Sequence, residues 1–148
     1  MHAGQPPRPL PDFSRARDEA VQVLQSLIRI DTSNPPGNET RAATYIKGLL
    51  DKEGIASEIY QLENGRGTIV ARLKGSGRQR PIILMAHTDV VGVERGKWTV
   101  DPFAAVIKDG YVYGRGAIDD KDTVAAALVT FLSLHRLNVP RGRRTACG

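Results

Sequence analysis

The run Pro81-Ile82-Ile83-Leu84-Met85-Ala86 constrains the fold of this chain more than any other segment. It is apolar, β-branched in part and of strand length, so it predicts a buried strand over residues 81–87 rather than a helix. Helical stripes accompany it. Val21, Leu24, Leu27 and Ile28 share one helical face, while Ala42, Ala43, Ile46, Leu49 and Leu50 form another that Gly54 closes. A third helix is predicted over about residues 123–137, and further strands over 56–61 and 68–73. Asp109-Gly110 between Val106-Ile107 and Tyr111-Val112 predicts a hairpin, and Ser33-Asn34-Pro35-Pro36-Gly37 a rigid polar turn that by itself demands no chemistry. The whole reads as α/β.

Two segments carry chemistry. His87 and Asp89 stand two apart on extended chain, so their side chains fall on one face. Asp89 can accept a hydrogen bond from one imidazole nitrogen while the other faces a metal. The second segment, Gly114-Arg115-Gly116-Ala117-Ile118-Asp119-Asp120-Lys121, sets Asp119 after a Gly-x-Gly turn and before a helix. A carboxylate there is held on stiff backbone and can bridge two cations, with small residues leaving room for the approach. A single strand-end histidine is more often structural than a ligand, and an Asp-rich loop is usually a solvated turn. The combination reverses that balance.

Met85-Ala86-His87-Thr88-Asp89-Val90-Val91 and Tyr113-Gly114-Arg115-Gly116-Ala117-Ile118-Asp119-Asp120-Lys121 resemble the metal motifs of the peptidase M20 family. That family of metal-dependent amidohydrolases includes aminoacylase, carboxypeptidase G2, acetylornithine deacetylase and succinyl-diaminopimelate desuccinylase. Ile30 to Glu39 resembles its loop between the first two helices, and Trp98 with Asp101-Pro102-Phe103 its linker between the metal motifs, so the resemblance covers roughly residues 18–140. It implies the amino-terminal part of a zinc-peptidase-like catalytic domain, with a mixed, largely parallel sheet flanked by helices. It also implies that His87 is a terminal ligand of one zinc, Asp119 the carboxylate bridging two, and Asp89 the partner orienting His87. The expected cofactor is zinc, two ions in the intact family, with cobalt or another divalent metal as alternatives. The expected substrate is a small N-acyl amino acid or peptide, hydrolysed at its amide bond. A cis peptide after Asp119 is a further expectation of the resemblance.

The chain departs from the family in two ways. Asp122 stands where the family writes glycine, and its place before Thr123-Val124-Ala125 predicts a helix N-cap. More consequential, a zinc site needs further ligands and the reaction a base. The family draws its general base from a downstream Glu-Glu pair, and no such pair occurs in this sequence. Asp120 and Asp122 are neighbours of the bridging carboxylate, and His135 reads as a helix C-terminal residue favoured by the dipole. A catalytically inactive fragment is therefore the alternative to an active hydrolase. Gly114-x-Gly116 also resembles a degraded dinucleotide fingerprint, but Asp119 stands where a small residue must admit a pyrophosphate, and its charge repels phosphate. Trp98, Phe103, Tyr113, Arg115 and Lys121 flank the motifs and read either as packing and pairing groups or as substrate contacts.

The formal charge of +5 does not point to a polyanionic partner. Residues 18–135 carry a net −1, and the excess arginine lies at the two ends. Neither nucleic acid nor membrane is expected as a partner, and oligomeric state is not legible. Residues 1–11 are proline-rich and expected to be flexible; they lack a signal-peptide core, so cytoplasmic residence is the expectation. Residues 12–140 are read as the partial catalytic domain. The arginine-glycine stretch at 141–148 falls where the next apolar strand is due, and is expected to be a basic tail, out of frame with a longer product. Loss of the next strand should leave an uncovered sheet edge.

Overall fold

The computed structural model describes residues 12–63 and 65–147; the amino-terminal segment expected to be flexible lies outside them. Helix α1 spans Phe13–Arg29, and the Asp12 side chain accepts hydrogen bonds from the Ser14 and Arg15 amides at its start. Strand β1 (Ser33–Asn34) leads to α2 (Glu39–Lys52), which ends at Gly54 with φ of +68°, a conformation glycine adopts without a Cβ penalty. Strands β2 (Ser57–Glu63), β3 (Arg66–Leu73), β4 (Gln79–Leu84) and β5 (Val90–Val91) follow, then a single 3₁₀ turn at Arg95–Lys97. The hairpin of β6 (Val106–Lys108) and β7 (Tyr111–Tyr113) turns at Asp109 and Gly110, with φ of 53° and 81°. Both central residues are left-handed, as a two-residue hairpin turn requires. Helix α3 (Lys121–Arg136) and strand β8 (Arg143–Cys147) close the described chain.

The main sheet has the order β2-β3-β8-β4. β2 pairs antiparallel with β3, β3 antiparallel with β8, and β8 parallel with β4. The expected mixed sheet is present, but "largely parallel" does not describe this portion, because the β2–β3 hairpin and β8 contribute two antiparallel seams. A strand also lies within the stretch expected to be a tail. Residues Arg143–Cys147 form a strand between β3 and β4, with Ile83 opposite Ala146. Backbone donors and acceptors make a ladder whatever the side chains, so an arginine-rich stretch can fill a slot that apolar alternation does not announce. The sheet edge expected to be uncovered is that of β4, which is not the doubly buried strand the apolar run suggested: Ile82 is 43% and Ile83 67% exposed. Among the described residues β4 has a neighbour, β8, on one edge only.

The core lies where α1, α2 and α3 meet the sheet. Leu27 and Phe131 are fully buried, joined by Val23, Ile46, Leu50, Ile69, Leu73, Leu128 and Leu132. Of the first predicted stripe Leu27 and Ile28 are buried and Leu24 partly so, while Val23 rather than Val21 enters the core; the second stripe is there, with Leu49 only partly buried. At its last turn α3 is tied to both other helices. Arg136 donates to Glu19 of α1 at 2.6 and 2.8 Å and to Glu53 beyond α2 at 2.6 and 3.0 Å. Asp122, expected as the N-cap of α3, sits inside its first turn; the cap position belongs to Asp120, since the helix starts two residues before the predicted 123.

Candidate metal centre

His87 leaves the sheet just past the end of β4, and Asp89 follows before β5. The expected shared face is realised: His87 Nδ1 lies 3.1 Å from Asp89 Oδ1. Across the motifs, His87 Nε2 is 3.1 Å from Asp119 Oδ1. The imidazole thus stands between two carboxylates, one at each ring nitrogen. Burial works against its charged form, but the Asp89 carbonyl and the charges of Asp89, Asp120 and Asp119 outweigh that and raise its pKa above 6.5. Asp119 is almost fully solvent-exposed, whereas Asp89 is half-buried.

Three sets of contacts hold the arrangement. The His87 amide donates to Asp120 Oδ2 at 3.3 Å, joining the two motifs directly, and the Asp119–Asp120 peptide is cis as the resemblance implied. Lys121 is the second set. Its side chain is fully buried, and Nζ donates to the carbonyls of Leu27 at 3.0 Å and Ile30 at 2.9 Å. It serves the C-terminal end of α1, where unpaired carbonyls favour a cation. Of the two readings open for Lys121, packing and pairing holds. The third set comes from the turn that seemed to demand no chemistry: β1 pairs with β5, and Asn34 Nδ2 donates to Asp89 Oδ2 at 3.4 Å. Asn34 is 55 residues from Asp89 in sequence, so no local signal could announce it.

The glycines of the second motif are spatial requirements. A Cβ on Gly114 would stand 2.5 Å from Ile28 Cγ2, and one on Gly116 2.7 Å from Val90 Cγ1, with φ there at +83°. Arg115 of the second motif lies over the Trp98 ring at 5.3 Å and Arg95 over Phe103 of its own loop at 5.9 Å, so both aromatics engage cations. His135 lies in the last turn of α3, about 20 Å along the axis from the start of that helix. The structure does not bring it to His87.

Can His87 and Asp119 hold a metal? Two donors bound to one zinc at roughly 2.0–2.2 Å sit roughly 3–3.5 Å apart near tetrahedral angles. The observed 3.1 Å fits, and Asp89 on the far nitrogen supplies the outer partner that metal-bound histidines use. Among the described residues no group of three or more His, Cys, Asp or Glu side chains is arranged to hold an ion. Two donors alone do not complete the coordination of an ion. Beside it opens a cavity of about 440 Å³, lined by His87, Thr88, Asp89, Glu39 and apolar residues of α2, β3 and α3.

The family model for peptidase family M20/M25/M40 matches residues 83–145. The chain is 36% identical over 127 residues to a probable succinyl-diaminopimelate desuccinylase of Staphylococcus aureus, covering 84% of this chain and 30% of that protein. It is 31% identical over 134 residues to the N-formyl-4-amino-5-aminomethyl-2-methylpyrimidine deformylase of Halalkalibacterium halodurans, covering 88% and 31%. Its fold superposes on an M20 family metallo-carboxypeptidase from Sulfolobus solfataricus with a TM-score of 0.76 at 24% identity, covering 88% of this chain and 30% of that one. Such relatives imply a divalent metal. The chain is thus similar to the peptidase M20 family over residues 83–145, and it spans about 30% of the length of the curated relatives it matches.

Proposed function

We propose that this chain supplies His87 and Asp119 to a zinc centre that hydrolyses the amide bond of a small N-acyl amino acid or peptide. The observation that carries this reading is the 3.1 Å approach of His87 Nε2 to Asp119 Oδ1, with Asp89 on the opposite ring nitrogen. Two relatives are named as a desuccinylase and a deformylase, which supports removal of an acyl group from nitrogen as the reaction class.

Zinc, or another divalent ion in its place, supplies polarisation of the amide carbonyl and a water acidic enough to attack near neutral pH. The chain's own residues prepare the pair. Asp89 accepts the Nδ1 proton, which leaves the Nε2 lone pair free to bind. Asp120 holds the His87 amide, so imidazole and Asp119 keep their separation. Lys121 anchors the start of α3, and with it the Asp119 loop, to the end of α1.

A second reading, metal binding without turnover, is favoured by one observation: the sequence holds no Glu-Glu pair of the kind from which the family draws its base. One experiment separates the readings. The purified chain is dialysed against zinc, its metal content measured, and hydrolysis followed on N-succinyl and N-formyl amino acids and on dipeptides, beside His87→Ala. Zinc retention and turnover that His87→Ala abolishes establish the hydrolase. Retention without turnover establishes the second reading, and a wild-type chain that retains no zinc refutes both.

A further inference from the structure

We propose that Thr32 and Asn34, on the segment between α1 and α2, are positioning residues that fix the Asp89 carboxylate on His87. The proposal rests on the metal-centre reading for its purpose, though its geometry stands without metal.

Asp89 is held at three points, all from this one segment. The Thr32 side chain is fully buried, and its hydroxyl donates to the Thr88 carbonyl at 2.5 Å. The Thr32 carbonyl accepts from the Val90 amide at 3.1 Å. The backbone is thereby fastened immediately before and immediately after Asp89. Asn34 then takes the side chain, donating from Nδ2 to Asp89 Oδ2. The amide must present its nitrogen, because its oxygen would face a carboxylate. With Oδ2 occupied, Oδ1 is left for His87 Nδ1 at 3.1 Å.

The segment is itself anchored. The Ser33 amide donates to Asp31 Oδ1 at 2.9 Å, the Gly37 amide to the Ser33 carbonyl at 2.8 Å, and Lys121 Nζ to the Ile30 carbonyl at 2.9 Å. The end of α1 and the segment after it therefore touch both metal motifs: Thr32 and Asn34 hold 88–90, and the carbonyls of Leu27 and Ile30 hold the start of α3 through Lys121. The consequence for His87 is a choice between tautomers. Nδ1–H donates to Asp89 and Nε2–H to Asp119, and these compete. Asp119 is almost fully exposed, so the carboxylate that the fold holds at three points wins because its ordering cost is already met. Holding Asp89 keeps the proton on Nδ1 and leaves Nε2 bare toward the metal side.

The test reads the His87 tautomer by ¹⁵N NMR in chelator, at a pH where the ring is neutral. The variants are Asn34→Leu, Thr32→Val and Thr32→Ser, each with its zinc affinity and melting temperature. Wild type is expected to hold mainly Nδ1–H. Asn34→Leu and Thr32→Val should raise the Nε2–H fraction at least threefold and weaken zinc roughly tenfold, while Thr32→Ser, which keeps the hydroxyl, restores the wild-type tautomer. Lowered melting with an unchanged tautomer overturns the proposal. A tautomer shift in a chain that binds no zinc upholds it and refutes the metal reading, so the two failures are distinct.

Discussion

Replacing Lys121 with methionine separates the cost of a buried charge from the value of its hydrogen bonds. Burial pushes the Lys121 amine down from 10.5 to about 8, with Asp31 pulling the other way. That interval corresponds to about 3 kcal/mol for carrying the charge inside the fold. Between pH 8 and 10.5 the unfolded chain keeps a proton that the folded chain has released, so this group's contribution to stability rises with pH across that window. Above it the neutral amine still has two N–H groups for the two carbonyls of Leu27 and Ile30. Methionine removes the charge penalty and takes a donor from both carbonyls; that of Leu27 keeps the Ile30 amide at 3.1 Å, and the loss at the Ile30 carbonyl costs about 1–3 kcal/mol. At pH 7 the effects offset, and Lys121→Met should differ from wild type by no more than about 2–3 kcal/mol. Urea unfolding of both proteins in chelator, from pH 7 to 10.5, should show wild type gaining about 3 kcal/mol on the variant. A difference that stays flat with pH would refute the claim that the ammonium is charged, buried and desolvated in the fold.

Gly116→Ala puts a methyl 2.7 Å from Val90 Cγ1 at a backbone φ of +83°, and should cost about 1–3 kcal/mol in urea unfolding; a neutral result would mean that the loop relaxes freely. Arg136→Met should cost about 1 kcal/mol, given the partial exposure of its ion pairs. The hydrogen bond from Arg136 holds the Glu53 carboxyl below 4.5, so this contribution is present above that pH and fades as pH falls through the lowered value. Melting curves of the two proteins should therefore draw together as pH falls below 4.5, and a gap that stays constant there would exclude the Glu53 ion pair as a source of it.

What the sequence disclosed follows from the range of the forces involved. The helices were legible because burying one face of a helix imposes a period that any short window reveals. The Asp109-Gly110 turn was legible because its dihedrals restrict residue choice. His87 and Asp89 could be paired because residues two apart on extended chain must share a face. Strand β8 was hidden because ladder bonds are made by backbone, and Arg143-Arg144-Thr145-Ala146-Cys147 offers no apolar alternation to betray them. The burial of Lys121 and the role of Asn34 were hidden for a related reason. Each is defined by a contact with a residue 91 or 55 positions away, which only the closed fold creates. The exposure of Ile82 and Ile83 marks the converse limit: an apolar run states that a strand can be buried, and its neighbours decide whether it is.

The central claim is that His87 and Asp119 bind a divalent metal together. The most direct test is a titration of the ¹⁵N-labelled chain with zinc, followed at the ring nitrogens of His87 and His135 and at the Asp119 carboxyl carbon. The account predicts that His87 Nε2 and Asp119 respond together and saturate at one equivalent, with His135, about 20 Å along α3, unmoved. Equal responses at the two histidines, or a His87 shift that leaves Asp119 unchanged, would contradict it.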